Sequence, residues 1–279
     1  VTFPRESSCF PFFYIPQGSV EDMITTNQNK QIKQILKLKK SARERRKQQL
    51  FLVEGIRMFR EIPGERLYKA YATEEFYEEH REIFQGIVPE MVSSQVMKEI
   101  SDTMTPQGVL ALVRMEETKA EDVVKEGDLL LVLENIQDPG NLGTILRTGE
   151  GAGIDGVLMS KDTVDIYNPK VIRSTMGSIF RVPFSYVEDM EALICLLKKS
   201  QIKTYAAHLD GTNYTKENYR RGTAFFIGNE GNGLSQELTD AADHKIKIPM
   251  SGKVESLNAA MAAGLLVYEA RRQREEGGR

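Results

Sequence analysis

The chain has little sulfur or imidazole chemistry to offer. Its 279 residues hold two cysteines, Cys9 and Cys195, and three histidines, His80, His208 and His244. No CxxC and no His/Cys cluster joins them, which excludes a cysteine zinc site and argues against a disulfide framework. The histidines lie too far apart in sequence for metal-ligand spacing, so no metal is expected. Cys195 sits in the apolar stretch EALICLLKK and reads as a small core residue. No apolar run approaches the ~18–20 residues that span a bilayer. The phosphate-cradling signature GxxxxGK[ST] is missing. Residues 151–156, GAGIDG, do satisfy GxGxxG. In a dinucleotide fold that loop follows a strand and opens a helix. Here it ends a helical stretch and leads into a strand, so it reads as a helix C-cap and turn. The sequon Asn213-Tyr214-Thr215 has no secretory context and is set aside. An excess of either charge is also lacking. Lys and Arg number 37 against 40 Asp and Glu, a net charge of −3. Any attraction for nucleic acid must therefore be local.

What is present suffices for an ordinary core, with 41% hydrophobic residues, and the length suggests about two domains at ~100–200 residues each. Residues 1–22 carry three prolines, clustered aromatics and no periodicity. They read as an added or disordered extension, with Met23 as the natural start. Nine basic residues then fall within positions 30–47, against the single acid Glu44. Lys30, Lys33, Lys37, Lys40, Arg43, Arg45 and Arg46 are the candidates for contact with RNA phosphates. Ile32, Ile35, Leu36 and Leu38 mark the opposite side of a helix. A solvated helix face would look similar, but the dominance of one sign in a slightly acidic protein favours a phosphate-contacting surface.

Strands alternate with helices through residues 23–114, which predicts a small α/β domain. The acid-rich stretch 116–128 reads as part of a linker spanning 115–128, with a short helix at most. Residues 129–279 form the second domain. Strands are expected at 129–133, 157–160, 184–187, 204–209, 225–228 and 245–248. Helices between most of them argue an α/β fold with a largely parallel, helix-covered sheet. Asn141 is placed as the cap of one helix and Ser256 as the cap of the terminal helix, which runs to about residue 274.

Three segments of the second domain follow strands directly. They are Asn141 to Arg147, the run FIGNEGNGLS ending at Ser235, and the loop and helix start IPMSGKVESLN ending at Asn258. In a parallel α/β sheet the strand C-terminal ends carry the ligand crevice, so all three can meet there. Glycine lets backbone approach a ligand closely, and the turns aim N–H groups inward.

These segments resemble the SpoU (TrmH) family of RNA 2′-O-ribose methyltransferases, within the SPOUT class. The match covers roughly residues 129–272: Asn141 with Arg147 six residues on, the GNEGxGLS run at 228–235, and IPMxGxxxSLN at 248–258. Residues 27–114, with FLVEG at 51–55 and TPQG at 105–108, look like the family's N-terminal substrate domain, which resembles ribosomal RNA-binding proteins. The resemblance implies a deep trefoil knot, a homodimer through the C-terminal domain, and S-adenosylmethionine held by Gly228, Ile248 and Leu257. It also implies a catalytic set of Arg147, Asn141, Glu230, Ser256 and Asn258. Some accounts of the family make the arginine a general base. A guanidinium holds its proton at ordinary pH, so Arg147 fits better as a bidentate anchor for the developing alkoxide or a neighbouring phosphate. A phosphate or water would then accept the proton. Asn141 would orient loop or ribose, Glu230 would position the arginine or close the pocket, and Ser256 and Asn258 would fix the cofactor loop. The expected activity is methyl transfer to RNA ribose, rRNA before tRNA, in the cytoplasm and away from membranes. The alternative is a non-catalytic RNA-binding or ribosome-assembly factor with the same fold; the complete motif set favours the enzyme. A methyltransferase for a non-RNA acceptor is a third reading, which the basic stretch argues against.

Overall fold

The structure, a computed structural model, describes residues 23–84 and 86–277. The expectation for residues 1–22 lies outside the described residues. Two helices open the described chain. In α1 (Lys30–Lys40) the Asn29 side chain accepts the Gln31 N–H at 2.8 Å, and Ile32, Ile35 and Leu38 face inward. Ser41 both ends α1 and caps α2 (Ala42–Gln48), which stops where Gln49 turns left-handed at φ 53°. Then follow β1 (Leu50–Glu54), α3 (Ile56–Phe59), β2 (Leu67–Ala72), α4 (Glu74–Glu79), β3 (Glu90–Met91), α5 (Ser94–Ile100) and β4 (Val109–Arg114). The four strands form one sheet in the order β1-β4-β2-β3, in which β4 pairs antiparallel with both neighbours.

The acid-rich stretch contains α6 (Ala120–Glu126), which buries Val123 and Val124 against Leu130, Val132 and Leu158. Its charges point outward and its two valines fasten it to the second sheet. That sheet is built from β5 (Leu129–Leu133), α7 (Pro139–Ala152), β6 (Gly156–Ser160), α8 (Pro169–Thr175), β7 (Phe184–Val187) and α9 (Met190–Lys199), continued by β8 (Lys203–Asn213), β9 (Thr223–Ile227), α10 (Gln236–Ala241), β10 (His244–Lys247) and α11 (Ala259–Glu276). All six strands run parallel, in the order β10-β8-β9-β5-β6-β7. Every residue of the central strands β5 and β9 is buried, as strands covered on both faces must be. Strand β8 runs past the expected 204–209 because Gly211 sits at a register shift against β10. A Cβ there would meet the Ile246 backbone at 2.4 Å.

The GAGIDG stretch ends α7, with Gly153 at φ 79° as the left-handed C-cap, as its sequence context requires. Cys195 departs from expectation. It is exposed, because Leu193, Ile194 and Leu197 define the inward face of α9 and leave position 195 on the opposite side. Among the described residues no helix is long and apolar enough to cross a membrane, and no group of three metal-ligating side chains occurs.

The two sheets are fastened to each other by aromatic and ionic contacts. The Phe51 ring lies 4.6 Å from that of Tyr167, and the Arg66 guanidinium stacks 5.2 Å from the Phe180 ring. Arg173 pairs with Asp102 at 2.9 Å. Deepest is Arg45, whose Nε donates to Asp165 at 2.9 Å and whose Nη1 donates to the Leu38 carbonyl at 2.6 Å. Arg45 is only 3% exposed. This corrects its assignment to the RNA surface, since its donors are already taken by a carboxylate and a carbonyl inside the protein.

Candidate active site

Three loops leave the C-terminal ends of β5, β9 and β10 and converge. The first enters α7. Its cap is Asp138, which accepts the Asn141 N–H at 2.8 Å, while Pro139 occupies a first-turn position that needs no donor. Asn141 was expected at the cap; Asp138 takes that place and leaves the Asn141 amide free to face the other loops. Its Nδ2 donates to Glu230 at 2.9 Å, and its Oδ1 accepts from Asn258 Nδ2 at 2.8 Å.

The second loop, residues 228–235, folds back on itself. Asn229 and Gly233 exchange backbone hydrogen bonds at 3.0 and 2.9 Å. The Asn229 side chain gathers the N–H groups of Gly231 and Asn232 at 2.8 and 3.1 Å. A Cβ on Gly228 would fall 2.1 Å from the Gly233 carbonyl carbon, so only glycine closes this loop. Glu230 rides on its tip and accepts from the backbone of Gln137 and Asp138, each at 3.3 Å. Partial burial pushes the Glu230 carboxyl up, but the bonds from Asn141 and the loop amides outweigh it and hold the group below the usual carboxylate range. Glu230 is therefore an anion at neutral pH.

The third loop ends at Asn258, and this asparagine, not Ser256, caps α11. Its Oδ1 accepts the N–H of Ala260 at 2.9 Å and of Met261 at 3.3 Å. One amide thus satisfies a helix terminus with its oxygen and holds Asn141 with its nitrogen. Ser256 lies two residues before the cap, on exposed loop.

Between the second and third loops lies a cavity of about 370 Å³. Ile227, Gly228, Ile246, Ile248, Leu257 and Leu266 give it an apolar wall, and Glu230, Glu255, Ser256 and His208 give it a polar rim. The size falls within the ~300–1,000 Å³ typical of small-molecule sites. Gly228, Ile248 and Leu257 all line it, and so do Glu230 and Ser256.

Arg147 is placed differently. Less than two turns beyond Asn141, about 9 Å along α7, it is exposed and lies outside the cavity wall. Among the described residues its side chain makes no hydrogen bond or ion pair. Glu230 does not hold it; the partners of Glu230 are Asn141 and the α7 entry loop. Lys30, Lys33, Lys37, Lys40, Arg43 and Arg46 are exposed on α1 and α2, and none of them forms an ion pair among the described residues. Gln137, Asp138 and Asn229 build the loops and stand outside the expected site residues, although Asp138-Pro139-Gly140 reads as a turn in the sequence. Asp138-Pro139 carries a readable signal, a cap residue followed by proline. Gln137 carries none.

A model of the SpoU rRNA Methylase family matches residues 128–268, and one of the MRM3-like substrate binding domain matches residues 29–111. The 23S rRNA (guanosine(2553)-2′-O)-methyltransferase of Bacillus subtilis is 33% identical over 89% of this chain and 98% of its own length. The chain belongs to the SpoU rRNA methylase family. Another relative, an uncharacterized tRNA/rRNA methyltransferase of Synechocystis, is 33% identical over 90% of this chain and 93% of its own. Among solved structures, the AdoMet-bound rRNA methyltransferase of Sinorhizobium meliloti superimposes with a TM-score of 0.80 at 27% identity, covering 90% of this chain and 97% of its own. The SpoU methyltransferase AviRb of Streptomyces viridochromogenes, solved with AdoMet, gives 0.79 at 26% identity, over 89% of this chain and all of its own. SpoU family membership accounts for the three loops together. The second and third loops close the cavity at the end of the parallel sheet, and the first is joined to them through Asn141.

Proposed function

We propose that this SpoU family chain methylates a ribose 2′-hydroxyl of RNA, ribosomal RNA before transfer RNA, using S-adenosylmethionine. The observation that carries the reading is the cavity whose polar end abuts the Asn258–Asn141–Glu230 chain of hydrogen bonds. The cavity suits the cofactor. Its apolar wall fits an adenine face, its loops offer backbone groups in place of side chains, and the anionic Glu230 favours a nearby cationic centre.

S-adenosylmethionine supplies an electrophilic methyl group on a sulfonium. The chain must supply alignment, charge stabilisation and a way out for one proton. Gly228, Ile248 and Leu257 form the wall against which the cofactor is fixed, and Ser256 holds the loop between them. Asn141, locked at both ends by Glu230 and Asn258, presents a fixed edge for the ribose. Arg147 is the cation for the developing alkoxide or the adjacent phosphate. Its five donors are unclaimed among the described residues, so it can take either bidentately. The proton leaves to a substrate phosphate or to water. The exposed cations of α1 and α2 draw in the RNA backbone.

The same reading assigns residues 23–114 to substrate binding, 115–128 to the linker and 129–279 to catalysis, in the cytoplasm. It includes a homodimer. Met261, Leu265 and Tyr268, at 59, 38 and 49% exposure, form one apolar stripe of α11, and the Tyr268 hydroxyl lies against Gly151 of α7. A second copy would cover the stripe and bring its own cavity toward Arg147. Sedimentation should give twice the chain mass, and Leu265→Glu should halve it. The deep trefoil knot belongs to this reading too, with residues 248–258 as the closing pass. Mapping ribose methylation in cellular RNA, with and without the protein, tests the function. One 2′-O-methyl group should vanish with the gene. An unchanged map would leave an RNA-binding assembly factor.

A further inference from the structure

Exposed rings are scarce on this molecule. Among the described residues, Tyr68 and Tyr268 are the phenylalanine or tyrosine side chains left largely in solvent, at 47 and 49% exposure. Tyr268 belongs to the stripe of α11 described above. Tyr68 stands on the substrate domain, and the backbone puts it there. Leu67 pairs with Val113 and Lys69 with Leu112, so Tyr68 is an extra residue of β2 with no partner on β4. Such a bulge re-aims the side chain that it inserts. The ring is met by the Arg114 guanidinium, 5.1 Å from its centroid. Arg114 is itself exposed, and its side chain makes no hydrogen bond or ion pair among the described residues. The free cations of α1 and α2 lie beside this pair. Arg114 pairs with Leu50, two residues after α2 ends. Gln48 of α2 is bonded to Gln34 of α1 at 2.7 Å, and Lys69, next to Tyr68, donates to Gln31 of α1 at 3.1 Å. Glu90 and Glu116 are neutralised by Lys69 and Arg66, at 2.7 and 3.1 Å. The free charge here is therefore mainly positive, with Glu65 as an exposed acid before β2.

We propose that the Tyr68 ring is a stacking platform for one unpaired base of the RNA, with Arg114 holding the phosphate beside it. The inference rests on the RNA binding by α1 and α2 proposed above, and it names the form of RNA that the substrate domain takes, a single-stranded segment. Every base has a flat π face that an aromatic ring accepts without reading the base edge. A base inside a duplex is already stacked on its neighbours, whereas one in a loop or bulge is free to move onto the ring. A tyrosine that served the fold would be buried and bonded. Tyr71, three residues on, is such a residue, 1% exposed and donating to Gln31 at 3.0 Å. The Tyr68 hydroxyl makes no such bond among the described residues, and what the side chain offers is its face. Arg114 fixes that ring by a cation–π contact. Its unclaimed donors suit the phosphate of the stacked nucleotide.

The chain contains no tryptophan, so Tyr68→Trp in the full chain supplies a single fluorophore at the site. A single-stranded oligoadenylate should quench its emission. An abasic ribose-phosphate strand of the same length, which brings the charge without the bases, should not. Equal quenching by the two strands, or none by either, overturns the platform. With labelled RNA and fluorescence anisotropy, Tyr68→Ala should weaken binding of the oligoadenylate about tenfold and leave the salt slope of log Kd unchanged. Binding of an RNA duplex should not respond to this change, and Tyr68→Phe, which keeps the ring, should bind like the wild type. Arg114→Ala should flatten the slope by about 0.7, the share of one phosphate on a single strand. A Tyr68→Ala chain that binds single strands as tightly as the wild type overturns the platform and leaves the cations of α1 and α2 as the RNA surface. Equal losses on single strand and duplex overturn it as well. A wild-type chain that binds no RNA removes that surface and this proposal together.

Discussion

Two regions of the molecule handle polarity in opposite ways. At the end of the parallel sheet, the polar groups of Asn141, Glu230 and Asn258 are committed to one another and to loop amides. On α1 and α2, Lys30, Lys33, Lys37, Lys40, Arg43 and Arg46 point into solvent without ion-pair partners among the described residues. The first arrangement fixes geometry before substrate arrives, which removes reorganisation from the reaction. The second fixes nothing and acts at the range of the Debye length, about 8–10 Å in ordinary salt. Each region also contains one residue that behaves like the other. Arg45 sits among the free cations yet is buried and paired with Asp165. Arg147 sits on the same helix as Asn141 yet is exposed and makes no hydrogen bond or ion pair among the described residues. The fate of an arginine here follows from whether the fold has already claimed its donors.

Breaking the Arg45 pair should have the largest effect. Arg45→Ala leaves the Asp165 carboxylate, whose side chain is only 11% exposed, without its cation and should cost about 3–5 kcal/mol of stability. For a chain of this size that is roughly 10 °C in Tm. Calorimetric melting of the full chain measures it, with Lys33→Ala as the control that should barely move. Equal melting of the two variants would return Arg45 to the surface set.

Next comes Arg147→Ala, which should lower kcat by on the order of 10²–10³, the usual loss when one donor to a developing anion is removed. Tm and cofactor affinity should stay near wild type, because the side chain supports neither the fold nor the cavity wall. Near-normal turnover would end its assignment as the reaction's cation.

How much of this contrast could be read from the amino-acid string differs by residue. The six parallel strands and the three converging loops were legible, because buried strands are runs of apolar residues and loops follow them in order. Gly228 was legible as a loop residue; that it faces Gly233 at contact distance was not. The caps were misplaced by a few residues at α7 and α11. Several residues at each start could serve as a cap, and packing chose Asp138 and Asn258. Arg45 could not be told from Arg43 or Arg46, since the acid that claims it is 120 positions away. Cys195 was misread because a helical stretch shows its periodicity more plainly than its phase.

A smaller effect separates the exposed cations from the catalytic one. Lys33→Ala with Lys37→Ala should weaken RNA binding a few-fold and reduce the salt slope of log Kd by roughly 1.4–1.8, the value for two lost phosphate contacts. The kcat at saturating RNA should not change. A slope equal to wild type would mean that α1 is a solvated face and that the RNA lies elsewhere.

The smallest effect lies in the pH dependence of the hydrogen-bonded hub. The Glu230 carboxyl is held below its ordinary range in the folded chain. A depressed carboxylate contributes stability that is complete above the unfolded value, about 4.3. That contribution drains away as pH falls through the lower, folded value. Glu230→Gln keeps the shape but not the charge. Its Tm should therefore lie slightly below wild type from neutral pH down to about 4.3, with the gap closing in more acidic solution. Because Glu230 is only partly buried, solvent screens the effect to a degree or two at most. A gap that instead widened toward acid would mean that the folded chain raises the Glu230 carboxyl rather than depressing it, and the hub cannot reverse to allow that, because the Asn258 Nδ2 facing Asn141 only donates while the Asn258 oxygen caps α11.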